Sequence, residues 1–179
     1  MENSEAMTRY VLEGTLKAMG PLVCALDVVP DDRLAEEPVP EQMAVGKMIQ
    51  HALSGVAFTA RALRLGKCEE SDVADLMRDD DASGTRPRIR EIESTARKEV
   101  SGALAELNEE LATRTVSFWW GWNLTGLETA SLGYEELVHH RGQVQSFLRL
   151  MGYAPPDIHA PVEPTASRAA ADETAAGQV

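Results

Sequence analysis

The sequence predicts an all-α fold, a four-helix bundle, and three observations support this class. Four long segments carry apolar residues at steps of three and four, the spacing of one buried helix face. No segment shows the alternation of apolar and polar residues that marks a half-buried strand. The chain of 179 residues is rich in the helix formers Ala, Leu, Glu and Met. Because one amphipathic helix cannot bury its own apolar face, the four are expected to pack together.

The first helix is predicted from a stripe of apolar residues near the N-terminus. Gly20 and Pro21 interrupt this stripe, and a kink or split is expected there because proline removes a backbone donor and clashes with the preceding turn. An acidic, proline-containing loop over residues 30–40 follows. The inward positions are Val11, Leu12, Leu16, Met19, Val23 and Leu26.

The second helix is predicted over residues 41–65. Pro40 suits its first turn, where the missing N–H has no intrahelical partner, and Gly66 suits its end, where a left-handed residue is common. The inward positions are Val45, Met48, Ile49, Ala52, Val56, Ala60 and Leu63.

The third and fourth helices have the longest apolar stripes. The third is predicted over 89–111 and the fourth from about residue 125 to 151. The inward positions are Ile89, Ile92, Ala96, Val100, Ala103, Leu107 and Leu111 in the third, and Leu127, Tyr134, Leu137, Val138, Val144, Phe147, Leu148 and Met151 in the fourth.

The connections between the helices predict their directions. The polar segment 66–86 has 21 residues, which extend to roughly 70 Å. A helix of about 25 residues is only about 37 Å long. The segment can therefore return along the whole bundle, whereas the shorter connections suit antiparallel neighbours, and we predict an up-down-down-up order.

The composition divides the chain into two regions. Residues 1–156 contain all four apolar stripes and are predicted to form one bundle domain. Residues 157–179 are acidic and Ala-rich with almost no large apolar side chain, so a disordered tail is expected.

The charge balance restricts the partners of the protein. Seventeen Lys and Arg stand against 29 Asp and Glu, a formal charge of −12 with no basic patch. Because phosphates must be neutralised by cations, nucleic acid and anionic membranes are unexpected partners. The start of the chain is acidic where a signal peptide is basic and then apolar, so a cytoplasmic protein is expected. The two cysteines, Cys24 and Cys68, have neither disulfide-framework nor zinc-site spacing.

The histidines suggest a metal site. Glu136 and His140 are four residues apart, so they share one face of the fourth helix, and His51 lies on the flank of the second helix. If these faces meet, two imidazoles and one carboxylate leave a coordination position free, as in catalytic zinc sites. Each feature has a simpler interpretation: a lone flanking histidine is often just partly exposed, and a Glu and His four apart are often a surface pair.

Two segments resemble the DinB/YfiT-like metalloenzyme superfamily. HHRGQVQSFLRLMG, residues 139–152, is similar to the signature in its last helix, and EEPVPEQMAVGKMIQHALSG, residues 36–55, is similar to the entry into its second helix. The resemblance covers roughly residues 10–156. It implies a four-helix bundle, often a homodimer, with a divalent metal held by three ligands at His51, Glu136 and His140.

The chain departs from the commonest family pattern at Glu136, where the family usually has a histidine. Relatives with His, Glu and His, including mycothiol-dependent maleylpyruvate isomerases, resemble this arrangement. The resemblance implies a small-molecule substrate and a thiol-dependent S-transferase or isomerase using mycothiol, bacillithiol or a similar cosubstrate. Zinc is the first expectation, with nickel, iron and manganese as alternatives. A metal-dependent hydrolase and a non-catalytic, stress-related metal-binding or dimerisation module remain open.

Several neighbouring residues are further candidates for substrate contact. Arg141 could anchor a carboxylate, although an ion pair to an acid such as Glu110 is the favoured interpretation. Gln143 could orient a ligand, and His139 is expected to be exposed or to support the ligands from outside. Gly142 would allow a helix or ligand to approach closely. Trp119, Trp120 and Trp122 are expected to pack a loop onto the bundle end, with a substrate-cavity wall or a dimer contact as alternatives.

Overall fold

The structure, a computed structural model, describes residues 3–157 and consists of four long helices, two short helices and a small sheet. The bounds in chain order are α1 Ser4–Val23, α2 Val45–Leu65, β1 Lys67–Cys68, α3 Ala74–Met77, α4 Arg86–Glu106, α5 Glu109–Thr113, β2 Thr115–Phe118, β3 Asn123–Thr125 and α6 Gly126–Leu150. Short 3-10 turns cover Cys24–Asp27, Asp31–Arg33 and Glu70–Asp72. The predicted four-helix bundle is therefore confirmed.

The long helices run in the predicted up-down-down-up order. Helices α2 and α4 are parallel, because the backbone N–H of Gly84, just before α4, donates to Gln50 near the start of α2 at 2.7 Å, and Arg64 near the end of α2 pairs with Glu106 at the end of α4. Helix α1 is antiparallel to α4, because Arg86 at the start of α4 donates to the carbonyl of Leu26 just after α1. The segment between α2 and α4 does return along the bundle.

One continuous apolar core joins the long helices. It contains most of the residues predicted to face inward, but Tyr134 is exposed, and Leu127 and Val138 are only half-buried and lie outside the core. The largest fully buried side chains include Met19, Leu22, Ile49, Leu53, Leu63, Ile89, Ile92, Leu137 and Leu148. Of the helices between residues 3 and 157, none combines the length and the apolar character that a membrane span requires.

Near the prolines, the predicted start of α2 is wrong, and of the kink or split expected in α1 the split does not occur. Helix α1 is not split at Pro21 but continues to Val23, because only its last turn follows the proline. Helix α2 begins at Val45 rather than at residue 41, since Glu41 has a positive φ of 65° and the chain turns there. Gly66 ends α2 as predicted, with a left-handed φ of 74°.

The third predicted helix is too long at its C-terminal end. Helix α4 ends at Glu106, and Leu107 is extended with a ψ of 126°. The side chain of Asn108 then accepts a hydrogen bond from the backbone N–H of Leu111 at 2.8 Å and starts the separate helix α5. Leu107 and Leu111 are both buried. The apolar pattern therefore identified buried residues correctly, although they do not belong to one continuous helix.

The expectation of no strands is wrong. Strand β2 pairs in parallel with β1 and antiparallel with β3, forming a three-stranded sheet at the edge of the bundle. Thr115 to Phe118 alternate exposed and buried, the period-two pattern of a half-buried strand in only four residues. The β2–β3 turn carries Trp119 and Trp120. Residues 158–179, which contain nearly all of the predicted disordered tail, lie outside the described residues.

Candidate metal centre

Three side chains from two helices converge at the α2–α6 interface. His51 on α2 and Glu136 and His140 on α6 each offer one donor atom, and these atoms all lie within 4.8 Å of one another. Nε2 of His140 is 3.2 Å from Oε2 of Glu136, and the two imidazole rings have centroids 4.8 Å apart. We call these residues the His/Glu/His cluster. The structure brings together the residues that the sequence analysis selected.

The close approach of α6 to α2 depends on a small residue one turn before Glu136. A Cβ atom at Gly133 would lie 2.1 Å from Oγ1 of Thr59 on α2. Gly142 does not have the expected packing function, because a Cβ atom there would have nothing within 4 Å. The glycine that permits helix contact is therefore Gly133, and it sets the distance across which His51 meets α6.

Gln143 orients the imidazole of His140. Nδ1 of His140 lies 2.6 Å from Oε1 of Gln143, and in the tautomer that carries its proton on Nδ1 the ring donates this hydrogen bond. Nε2 then carries a lone pair and faces the Glu136 carboxylate. Two acceptors 3.2 Å apart repel each other unless a cation or a proton lies between them. A partner of this kind on a ligating histidine is typical of metal sites.

The cluster lies where solvent reaches one side of it. The His140 side chain is 12% exposed and that of Glu136 is 47% exposed. Burial lowers the pKa of His51 below its ordinary value, as does the nearby His140, while the Glu136 carboxylate opposes the shift. His51 therefore favours its neutral form, which is the form that coordinates a metal.

The donor chemistry fits a divalent ion. Imidazole nitrogen and carboxylate oxygen are ordinary ligands of zinc, and both also bind nickel, iron and manganese. Three protein ligands with one exposed side leave a coordination position for a small molecule. His51, Glu136 and His140 are thus the residues that would hold the ion.

An aromatic cavity of about 300 Å³ adjoins the cluster and shares His51 and Glu136 with it. All three tryptophans of the chain line it, and Trp119 and Trp120 also pack against Phe58 of α2, as expected of a loop that packs onto the bundle. Trp119 and Trp120 are 41% exposed and Trp122 is 55% exposed. The other lining residues are Ser54, Gly55, Phe58, Thr59, Met77 and Leu132.

Sequence reasoning missed Phe58 and its neighbours on α2 as cavity residues. Their spacing from His51 was available: positions 54, 55, 58 and 59 lie three, four, seven and eight residues after it, on one helix face. Met77 could not be found in this way, because it belongs to α3 and reaches the cavity only through the return of the chain between α2 and α4.

The two remaining candidates lie beside the cluster rather than in it. His139 is exposed and its ring meets that of His140 at 4.9 Å between centroids. The expected ion pair between Arg141 and Glu110 is absent from the described residues, since Glu110 belongs to α5, which packs on the opposite end of α6. Arg141 is half-buried, and its side chain makes no hydrogen bond or salt bridge within residues 3–157.

Solved structures of low sequence identity share this fold. YjoA, a DinB-like protein from Bacillus subtilis, has a TM-score of 0.66 and 16% identity over 83% of this chain and 96% of its own. YfiT from Bacillus subtilis, described as a probable metal-dependent hydrolase with an unusual four-helix bundle topology, has a TM-score of 0.64 and 15% identity over 82% of this chain and 89% of its own.

Sequence comparison places the chain in a family. No curated protein is significantly similar to it in sequence. Residues 22–173 match the profile of the DinB family, which covers most of the chain and all three residues of the His/Glu/His cluster. The chain therefore belongs to the DinB family.

Proposed function

We propose that the protein is a divalent-metal-dependent enzyme whose ion is held by His51, Glu136 and His140. The observation that carries the proposal is the convergence of these three donors within 4.8 Å beside an aromatic cavity. When bound, such an ion supplies a Lewis acid with a position free for a small molecule. Zinc is our first choice of metal, because two imidazoles and one carboxylate are a common zinc ligand set.

The reaction class that we favour is thiol-dependent transfer or isomerisation. The resemblance to His/Glu/His relatives that use low-molecular-weight thiols supports it. The protein's own thiols are poorly placed: Cys68 is buried, and burial together with Asp72 raises its pKa to about 11. Cys24 lies in the turn after α1 and does not line the cavity. The nucleophilic sulfur would therefore come from a cosubstrate.

A metal-dependent hydrolase is the second candidate. Its support is the structural neighbour YfiT, which is described as a probable metal-dependent hydrolase. The two candidates use the same residues to hold the ion and differ in the group that attacks the substrate, a thiol in one case and water in the other.

The first experiment measures the metal content of the purified protein by elemental analysis. We expect one divalent ion per chain in the wild type and loss of nearly all of it in His140→Ala and Glu136→Ala, because each variant removes one of only three ligands. His139→Ala is the matched control, since it removes the adjacent imidazole from outside the cluster, and it should retain the ion. Equal metal content in all four proteins would refute the proposed site.

A second experiment separates the two reaction classes. Mycothiol or bacillithiol is supplied with 1-chloro-2,4-dinitrobenzene, so that transfer forms a carbon–sulfur bond, releases chloride and gives the thiol proton to solvent. The thiol-dependent class predicts consumption that requires both the thiol and an intact cluster. Hydrolysis of 4-nitrophenyl acetate without thiol, abolished in Glu136→Ala, would favour the hydrolase. Tight metal binding without either reaction would favour a non-catalytic module.

A further inference from the structure

We propose that the aromatic cavity binds a neutral, planar, apolar part of the substrate while the His/Glu/His cluster faces its reactive end. This inference rests on the proposed function, because it names the substrate class of the same site. It is carried by the geometry of the cavity wall, by the charges that the wall lacks and by the size of the space.

The wall is built from rings that meet at different angles. The indole of Trp120 stacks on Phe58 with centroids 5.7 Å apart and an interplanar angle of 27°. The ring of Trp119 lies at an interplanar angle of 83° to that of Trp120, with centroids 4.3 Å apart. The ring of Trp122 lies at 71° to that of Trp120. The wall therefore combines rings at small and at large angles to one another. A flat ring can stack on one of them and meet another edge-on, the two arrangements that aromatic pairs prefer.

The wall carries no positive side chain. Its lining residues, all within the part of the chain that the structure describes, include no Lys or Arg, and their only ionisable groups are His51 and Glu136. Both of these belong to the cluster. An anionic substrate body in the cavity would therefore lie among indole and phenyl rings with no counter-charge, at a large desolvation cost.

The cavity also offers few free polar groups. The hydroxyl of Ser54 donates to the carbonyl of Leu76 at 3.1 Å, and that of Thr59 donates to the carbonyl of Gly55 at 3.0 Å. Both hydroxyl protons are already used within the protein. A sugar or another group with many hydroxyls would lose its hydrogen bonds to water without finding replacements, which favours an apolar ligand.

The cavity also has a suitable size. At about 300 Å³ it is large enough for one substituted aromatic ring. Substrates of the proposed enzyme should therefore be aryl or benzyl compounds rather than extended anionic or polyhydroxylated ones.

The test uses three nitroaromatic probes of similar shape and different charge: 4-nitrobenzyl alcohol, 4-nitrobenzoate and 4-nitrobenzylammonium. Nitroaromatic rings quench indole fluorescence on contact, and all three tryptophans of the chain line the cavity, so the fluorescence reports this site. Titrations use the full chain, first metal-free and then metal-loaded. Salt of roughly 0.5 M screens the net charge of the protein.

We expect saturable quenching by the neutral probe, with an affinity about tenfold or more above that of the anionic probe in the metal-free protein. Gly55→Leu should weaken the neutral probe by about tenfold or more, because a Cβ atom at Gly55 has open space within 4 Å and the side chain would fill the cavity. Gly142→Leu is the matched control: its Cβ atom also has open space, but residue 142 is outside the cavity, and its affinity should stay within about twofold of the wild type.

Three results would overturn the inference: preference for the anionic probe, preference for the cationic probe, or equal weakening by the two glycine variants. Far-UV circular dichroism checks that Gly55→Leu folds, and Trp122→Ala, which removes the most exposed tryptophan of the wall, provides a second test. Probe binding in the metal-free protein is independent of metal content. A protein that binds the neutral probe but no metal would therefore refute the proposed function and support the cavity assignment. A protein that binds metal but not the neutral probe would refute the cavity assignment and leave the proposed metal site standing.

Discussion

Helix α2 presents two faces with opposite electrostatic design. On the α4 side, Arg61 and Arg64 both pair with Glu99, at 3.0 and 2.9 Å, and each has a further acidic partner, Asp75 or Glu106. We call these five residues the ion-pair cluster. On the α6 side, the His/Glu/His cluster brings together three acceptors, and no salt bridge in the described part of the chain joins a Lys or Arg to Glu136.

The ion-pair cluster and the His/Glu/His cluster differ in whether each charged group has a partner of opposite charge within the protein. In the ion-pair cluster every donor has an acceptor, so the protein itself compensates the loss of hydration. In the His/Glu/His cluster an imidazole nitrogen and a carboxylate oxygen lie 3.2 Å apart with no Lys or Arg paired to the carboxylate, so a cation or a proton between them would compensate its charge. Local complementarity is thus typical of the α2–α4 packing interface, and its absence at α2–α6 is what the proposed metal site requires.

The largest expected effect comes from removing one of the two acids that face opposite sides of α2, Glu99 on α4 and Glu136 on α6. Glu99→Ala should lower the free energy of unfolding by about 2 to 4 kcal/mol, because two arginines lose a carboxylate that is itself only 12% exposed. Glu136→Ala should change the stability of the metal-free protein by no more than about 0.5 kcal/mol, since its carboxylate is 47% exposed and pairs with no Lys or Arg. Urea unfolding of metal-free proteins measures both.

Metal content gives the opposite ranking of the same two variants. Glu99→Ala should retain the ion and Glu136→Ala should lose it. If both variants were destabilised equally, the two faces of α2 would not differ in the way that we describe.

A smaller effect is expected from the residue that orients His140. Gln143→Leu removes the acceptor 2.6 Å from Nδ1 and should weaken metal binding by about 10- to 100-fold. Gln143→Glu keeps an acceptor at this position and should restore most of the affinity. Competition with a chromogenic chelator measures both constants. Equal affinities for wild type and Gln143→Leu would show that the hydrogen bond does not support the ligand.

The smallest effects concern acid. Because burial lowers the pKa of His51 in the folded protein, the unfolded chain takes up a proton near the ordinary value of 6.5 that folded His51 does not. The stability of the metal-free protein should therefore fall as the pH decreases through this range. His51→Asn should remove this step, as followed by thermal unfolding at each pH.

The ion-pair cluster should respond at lower pH. A hydrogen bond from Arg64 lowers the pKa of Glu106 below its ordinary value of 4.5. Its contribution to stability is complete above 4.5 and is lost as the pH falls through the lowered pKa of the folded state. This loss should persist in His51→Asn. A single transition shared by both proteins would contradict the separation of the two faces.

Most of the helical framework follows from local sequence. The apolar stripes predicted all four long helices, Gly66 marked the end of α2, and the start predicted near residue 125 agrees with Thr125, whose side chain caps α6. The errors arose where a local signal was short or shared. The four-residue strand β2 has too few alternations to stand out, and a single apolar stripe continued across the break between α4 and α5.

The sequence by itself determined which residues could ligate a metal, because helical spacing places Glu136 and His140 on one face whatever surrounds them. Only the tertiary structure decided that His51 meets them, because α2 and α6 pack closely where Gly133 contacts Thr59. It also decided that the three tryptophans and Met77 line a cavity beside them. The physical reason is range. Spacing along a helix is set by backbone geometry within a few residues, whereas contacts between helices depend on side-chain packing over the whole bundle.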